Sequence, residues 1–112
     1  MKRGEIYRVA LDPVVGSETG KTRPALVLQN DLANQTSPTV TIVPISSSIQ
    51  RIHPFQVRIP AGEGGLSEDS KALCEQIRTV SRQRLGQRLG ELPKDRVREV
   101  RKALDRHLWL GF

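Results

Sequence analysis

Aromatic side chains are almost missing from this chain. Only Tyr7, Phe55, Trp109 and Phe112 occur among 112 residues, so any buried core must be built from aliphatic side chains. Cysteine is scarcer still. Cys74 stands alone, which excludes an intrachain disulfide and fits a reducing compartment. Two histidines and one cysteine, at no useful spacing, offer zinc no ligand set, and neither a metal nor another cofactor is expected. Glu68-Asp69 reads as a solvated acidic pair. No apolar run approaches the ~18 residues of a membrane-spanning helix. Met1-Lys2-Arg3 leads into Gly4-Glu5 rather than an apolar segment, so no signal peptide is expected and the cytoplasm is the expected location. A serine nucleophile elbow is absent. Gly62-Glu63-Gly64-Gly65 lacks the lysine and the strand-to-helix setting of a phosphate loop, and reads as a turn.

What the chain does have is positive charge. A formal net charge of +6 favours an anionic partner: nucleic acid, an acidic protein segment or a membrane surface. The length suits one domain, residues 1–112, with a single modest core. Alternation predicts a strand over Glu5–Leu11 with Tyr7, Val9 and Leu11 on one face. Ala25–Gln29 reads as a buried strand, and Asn30 to Pro38 as turn chemistry. Thr39–Ile45 alternates, and its Pro44 demands a bulge or a sheet edge. Phe55–Ile59 reads as apolar in and polar out, and Lys71–Ile77 as a further strand with Leu73, Glu75 and Ile77 on one face. A helical turn is expected over Ser81–Leu85 and brief pairing over Gln87–Leu89. Pro93 opens a helix whose apolar stripe is Val97, Val100, Ala103, Leu104 and Leu108. Several short strands and one C-terminal helix give a mainly β, α+β domain of barrel type.

Three places carry candidate chemistry. In Lys21-Thr22-Arg23-Pro24 the proline keeps Arg23 extended, at the junction of a Gly/Ser/Thr-rich loop and a rigid strand. This position suits a binding or catalytic cation, and equally suits a surface arginine. Ser46 opens the run Ser46-Ser47-Ser48 beyond the proline-interrupted strand. These hydroxyls can bond phosphate, or form a polar loop. Glu75, on an otherwise apolar face, needs a partner; Arg23 or Arg78 can supply it, and a structural ion pair and an active-site carboxylate both remain open.

The chain resembles a known family. Arg3-Gly4-Glu5-Ile6-Tyr7, Asp12-Pro13 with Gly16-Ser17-Glu18, Lys21-Thr22-Arg23-Pro24, Val43-Pro44-Ile45-Ser46, the Pro60–Leu66 turn and Cys74-Glu75-Gln76-Ile77-Arg78-Thr79 are similar, in order and spacing, to the MazF/PemK toxins. Each motif alone is weak, and the ordered set is specific. The resemblance implies the small SH3-like barrel of the MazF/CcdB type and a homodimer. It implies metal-independent, sequence-selective cleavage of single-stranded RNA, and an antitoxin with a disordered, often acidic tail, together with which such toxins also meet DNA. By motif, Arg23 matches the catalytic arginine, and Ser46 stands where many members carry threonine. Glu75 matches the place of an aspartate that serves some relatives as acid or base. Glu18, Lys21, Thr22, Ser47, Ser48 and Gln76 fall in segments that contact RNA.

Elementary chemistry is consistent with those roles. RNA self-cleavage needs the 2′-OH deprotonated, the phosphorane charge stabilised and the 5′-oxygen protonated. An arginine is a good fork for phosphate oxygens and a poor general base, so Arg23 is expected to stabilise charge, with Ser46 donating to a non-bridging oxygen. The expected ends are a 2′,3′-cyclic phosphate and a 5′-OH. Two rival readings stand beside this one. The ending Leu108-Trp109-Leu110-Gly111-Phe112 is similar to the tail of CcdB, a non-enzymatic gyrase poison. A module that binds nucleic acid without cutting it is the other.

Overall fold

In the computed structural model, which describes residues 1–110, seven antiparallel strands form one sheet. They are β1 (Glu5–Ala10), β2 (Thr22–Val27), β3 (Thr39–Ser46), β4 (Gln56–Ile59), β5 (Ser70–Leu73), β6 (Arg78–Ser81) and β7 (Leu85–Glu91). The strand order is β4-β5-β3-β2-β1-β7, with β6 paired to the first half of β3. Two helices, α1 (Asp31–Thr36) and α2 (Lys94–Leu108), complete the chain. The architecture is mainly β, α+β, with a C-terminal helix on the sheet. No helix among the described residues is long and apolar enough to cross a membrane.

Period-2 alternation sorts the aliphatic residues into two layers. Val9, Leu11, Ala25, Val27, Val40, Ile42 and Val80 pack on one side, with Tyr7 against them. On the other side Ile6, Leu26, Val43 and Ile45 meet Val100, Ala103 and Leu104 of α2. Each such side chain, fully buried, contributes roughly 1.5–3 kcal/mol, which is how a chain so short of aromatics builds its core. Leu108, expected on the α2 stripe, is instead exposed as the last residue of that helix.

Pro44 lies neither at a sheet edge nor in a bulge. It faces Ala25 of β2, while on β3's other side it falls between the β6 pairing that ends at Ile42 and the β5 pairing that begins at Ile45. A residue without an N–H sits at a gap in that ladder. The segment after Asn30 is a helix rather than a turn. The Asn30 side chain accepts from the Ala33 N–H at 2.9 Å, and the side-chain oxygen that favours turns serves equally as a helix N-cap.

Lys71–Ile77 does not run as one strand. β5 ends at Leu73, and Cys74–Gln76 forms a 3-10 turn before β6 begins. The turn takes Glu75 out of the ladder, so the alternation expected of Leu73, Glu75 and Ile77 is broken there. The helical turn after Ser81 is present at Arg82–Arg84, and the brief pairing expected at Gln87–Leu89 is the full strand β7. The Gly62–Gly65 turn is a close approach. A Cβ on Gly65, whose φ is +78°, would lie 1.9 Å from the Leu89 carbonyl oxygen, so only glycine lets this turn cross β7.

Glu5 ties the sheet's edge. Its buried carboxylate accepts from the Arg88 guanidinium and the Lys2 N–H. Burial raises its pKa, but the bonds from Arg88 and Lys2 outweigh burial and hold the group below its ordinary value. A lowered folded-state pKa gives stability that is present above the unfolded value and lost as pH falls through the folded one. Glu5→Gln is therefore expected to be less stable at pH ~7 by about 1 kcal/mol, allowing for the half-exposed arginine. The gap should close below pH ~4; chemical denaturation at both pH values checks it.

Candidate active site

Arg23 enters the site from the first turn-to-strand junction of β2. It pairs with Val9 of β1. The β2–β3 register sets Leu26 against Val43 and ends with Ala25 against Pro44, so Arg23 and Ser46 each lie two residues beyond the last paired position, at the same end of the two strands. The predicted cation and hydroxyl thus stand on neighbouring strands. Arg23 is half-buried, and its Nε donates to the Gly20 carbonyl at 2.9 Å. Its two terminal nitrogens have no partner among the described residues. The stem is thus held while the fork stays free.

The loop before Arg23 is closed at its base and tied across its length. The Leu11 N–H donates to the Lys21 carbonyl at 2.8 Å, and Lys21 itself takes the left-handed φ of +63°, an uncommon conformation for a residue with a Cβ. At Gly20 a Cβ would meet the Asp12 carboxylate oxygen at 2.3 Å. Glu18 is exposed and accepts from the Val15 N–H. Gln76 accepts from the Thr19 N–H at 3.3 Å, and Arg78 donates to the carbonyls of Thr19 at 3.3 Å and Leu11 at 3.0 Å. The turn that carries Glu75 and Gln76 therefore also anchors the loop that carries Glu18 to Thr22.

Ser46 is half-buried and its Oγ accepts from the Ser48 N–H at 3.1 Å, leaving its own proton free to donate; Ser47 and Ser48 are exposed. Thr22, Arg23 and Ser47 line one cavity of about 230 Å³. Ser46, Ser48, Glu18, Lys21, Glu75 and Gln76 are not part of that lining. A larger cavity of about 460 Å³ lies between β4 and α2, among Arg58, Arg96, Glu99, Lys102 and Arg106. Its cations are mostly spent: Arg96 pairs with Glu63 and Glu99, Arg58 with Asp69, and Arg106 donates to the Pro54 carbonyl. The smaller cavity is lined by Arg23, whose terminal nitrogens are free, and is the better anion site.

Glu75 finds a partner that its sequence neighbours do not predict. Neither Arg23 nor Arg78 pairs with it. Its Oε2 accepts from Gln56 Nε2 at 2.8 Å, and its Oε1 is buried without a hydrogen-bond partner. Gln56, at a position expected to face solvent, is buried, and its own Oε1 accepts from the His53 N–H at 3.1 Å. It clamps the start of β4 to the 74–76 turn, and nothing in the local sequence marks it for that role. Burial, with the Glu75 charge adding to it, pushes the Cys74 thiol up to about 12, so this cysteine is no nucleophile. Trp109 is 76% exposed at the end of α2, and Gly111 and Phe112 of the same tail lie outside the described residues.

Fold and site together define a small basic β protein with one covering helix and an arginine fork, flanked by hydroxyls, at a strand mouth. The chain belongs to the PemK-like, MazF-like toxins of type II toxin-antitoxin systems, whose family pattern matches residues 2–108. It is 42% identical over 113 residues to the endoribonuclease MazF9 of Mycobacterium tuberculosis, covering 96% of each chain. Among solved structures it is similar to MazF of Deinococcus radiodurans, with 30% identity, a TM-score of 0.84 and coverage of 100% and 97%. It is likewise similar to a MazE-MazF structure from that organism, at 30% identity and a TM-score of 0.79, covering 99% and 97%. The gyrase-poison and non-cleaving readings are not favoured by this membership.

Proposed function

We propose that this protein is the toxin of a type II toxin-antitoxin pair and acts as an endoribonuclease on single-stranded RNA. The observation that carries the reading is Arg23 with its fork free, at the same end of the sheet as Ser46 on the neighbouring strand and lining a cavity with Thr22 and Ser47, in a chain whose relatives include a named endoribonuclease. Arg23 stabilises charge on the phosphorane, since a planar guanidinium matches phosphate oxygens in a fork. Ser46 donates to a non-bridging oxygen, while Lys21, Thr22, Ser47 and Ser48 follow the RNA backbone and Glu18 and Gln76 border the bases. We assign Glu75 to positioning. Its Oε2 is engaged by Gln56, and its Oε1 is buried without a hydrogen-bond partner.

The chain works as one domain and as a homodimer in the cytoplasm, and an antitoxin with an acidic, disordered tail neutralises it. A MazE-MazF structure among the similar folds supports that partner, and the net charge of +6 suits both RNA and an acidic tail. Incubation of the pure protein with a long single-stranded RNA in chelator tests the reaction. The expected products end in a 2′,3′-cyclic phosphate and a 5′-OH that polynucleotide kinase labels directly. Intact RNA after prolonged incubation sinks the proposal. Added salt is expected to slow cleavage at low RNA concentration, because phosphate contacts release counterions.

A further inference from the structure

Much of the arginine in this protein is spent on structure. Arg78, Arg82 and Arg84 donate to backbone carbonyls, and Arg58, Arg88, Arg96 and Arg98 pair with carboxylates. Among the described residues, only Arg8, Arg51 and Arg101 have a guanidinium without a hydrogen bond or ion pair. Arg8 is the one of these three that lines the cavity of Arg23. It is exposed on β1 and stands against Pro24, one position from the Val9–Arg23 pair.

The rest of the lining suits a phosphate. Ser47 and Ser67 present hydroxyls with no partner among the described residues, while the Ser70 hydroxyl already donates to the Glu68 carbonyl at 2.9 Å. Glu68 supplies the one carboxylate of the lining. Two guanidinium groups against one carboxylate leave the lining net positive, which favours an anion. Because Arg8 is exposed and makes no internal bond, a phosphate can take it up without breaking a contact of the fold.

Resting on the endoribonuclease reading, we infer that the Arg8 side of this cavity, with Ser47 and Ser67, is a second phosphate subsite that holds the phosphodiester next to the scissile one. Arg23 keeps the reacting phosphate, and Arg8 fixes the register of the strand upon it. Because this contact is made equally before and during reaction, it strengthens binding without changing the chemical step.

Binding to a mixed-sequence single-stranded 2′-O-methyl RNA, which keeps every phosphate and lacks the attacking hydroxyl, tests the subsite; cleavage is read on the unmodified strand. Arg8→Gln is expected to bind about tenfold more weakly and to reduce the slope of log Kd against log salt by ~0.7, the share of one phosphate on a single strand. KM rises while kcat holds. Arg8→Lys keeps the slope because it keeps the charge. Arg101→Gln, equally unpartnered but on α2, keeps both slope and affinity. An unchanged slope in Arg8→Gln, or the same drop in Arg101→Gln, overturns the subsite and leaves wild-type cleavage standing. A wild-type protein that neither binds nor cuts RNA overturns the endoribonuclease reading with it.

Discussion

Arg23→Ala is expected to cleave single-stranded RNA roughly 10²–10³-fold more slowly than the wild type, the scale of losing one preorganised charge-stabilising group, about 2.7–4 kcal/mol of barrier. The geometry makes the variant a clean one. The guanidinium's recorded bond is from Nε to the Gly20 carbonyl, at the edge of a half-buried site, so the fold should survive its removal. Arg23→Lys is expected to recover little, because an ammonium is a point charge and cannot bridge two phosphate oxygens in a plane. Single-turnover rates beside thermal melts of each variant separate chemistry from stability. Equal cleavage by Arg23→Ala would remove the arginine from the mechanism.

Gln56→Leu carries the second large effect, on both stability and rate. The substitution deletes the donor to Glu75 Oε2 and the acceptor for the His53 N–H. Glu75 would then hold a carboxylate with one oxygen already buried and unpartnered and the other newly so. Leaving such groups unpaired costs about 1–3 kcal/mol. It also frees the segment after Ser46 from the turn that carries Gln76, and through Gln76 from the loop at Thr19. Misplacement of this kind, away from the reacting atoms, can cost up to ~10²-fold in rate. We expect kcat to fall by about ten- to a hundredfold at a temperature where the variant is folded, with a broadened set of cleavage sites. Glu75→Gln separates support from proton transfer. An amide can still accept from Gln56, so near wild-type cleavage is expected, and a loss as large as that of Arg23→Ala would make Glu75 an acid–base group.

The two variants mark the boundary between what was legible in the chain and what was not. Alternation in β1, the aliphatic run of β2 and the proline that opens α2 were legible because each is a local pattern of side chains against one backbone period. The extended backbone of Arg23 was legible for the same reason, from a single following proline. Glu75 was legible as a carboxylate in need of a partner and misread as to which one. The candidates were the nearby Arg78 and the distant Arg23, and the partner is a neutral amide 19 residues upstream. Arg78 instead reaches carbonyls 59 and 67 residues away.

By itself, then, the sequence determined the strand-rich class, the C-terminal helix, the lone cysteine, the basic balance and the run of motifs that resemble the toxin family. Tertiary structure alone decided that β5 stops at Leu73, that the strands of Ser46 and Arg23 are neighbours, that Gln56 holds Glu75, and that Arg8 shares a cavity with Arg23. Period and propensity report how one segment meets its own environment. Register, pairing and the satisfaction of buried polar groups depend on which distant segment supplies the missing partner, and that is settled only when the sheet closes.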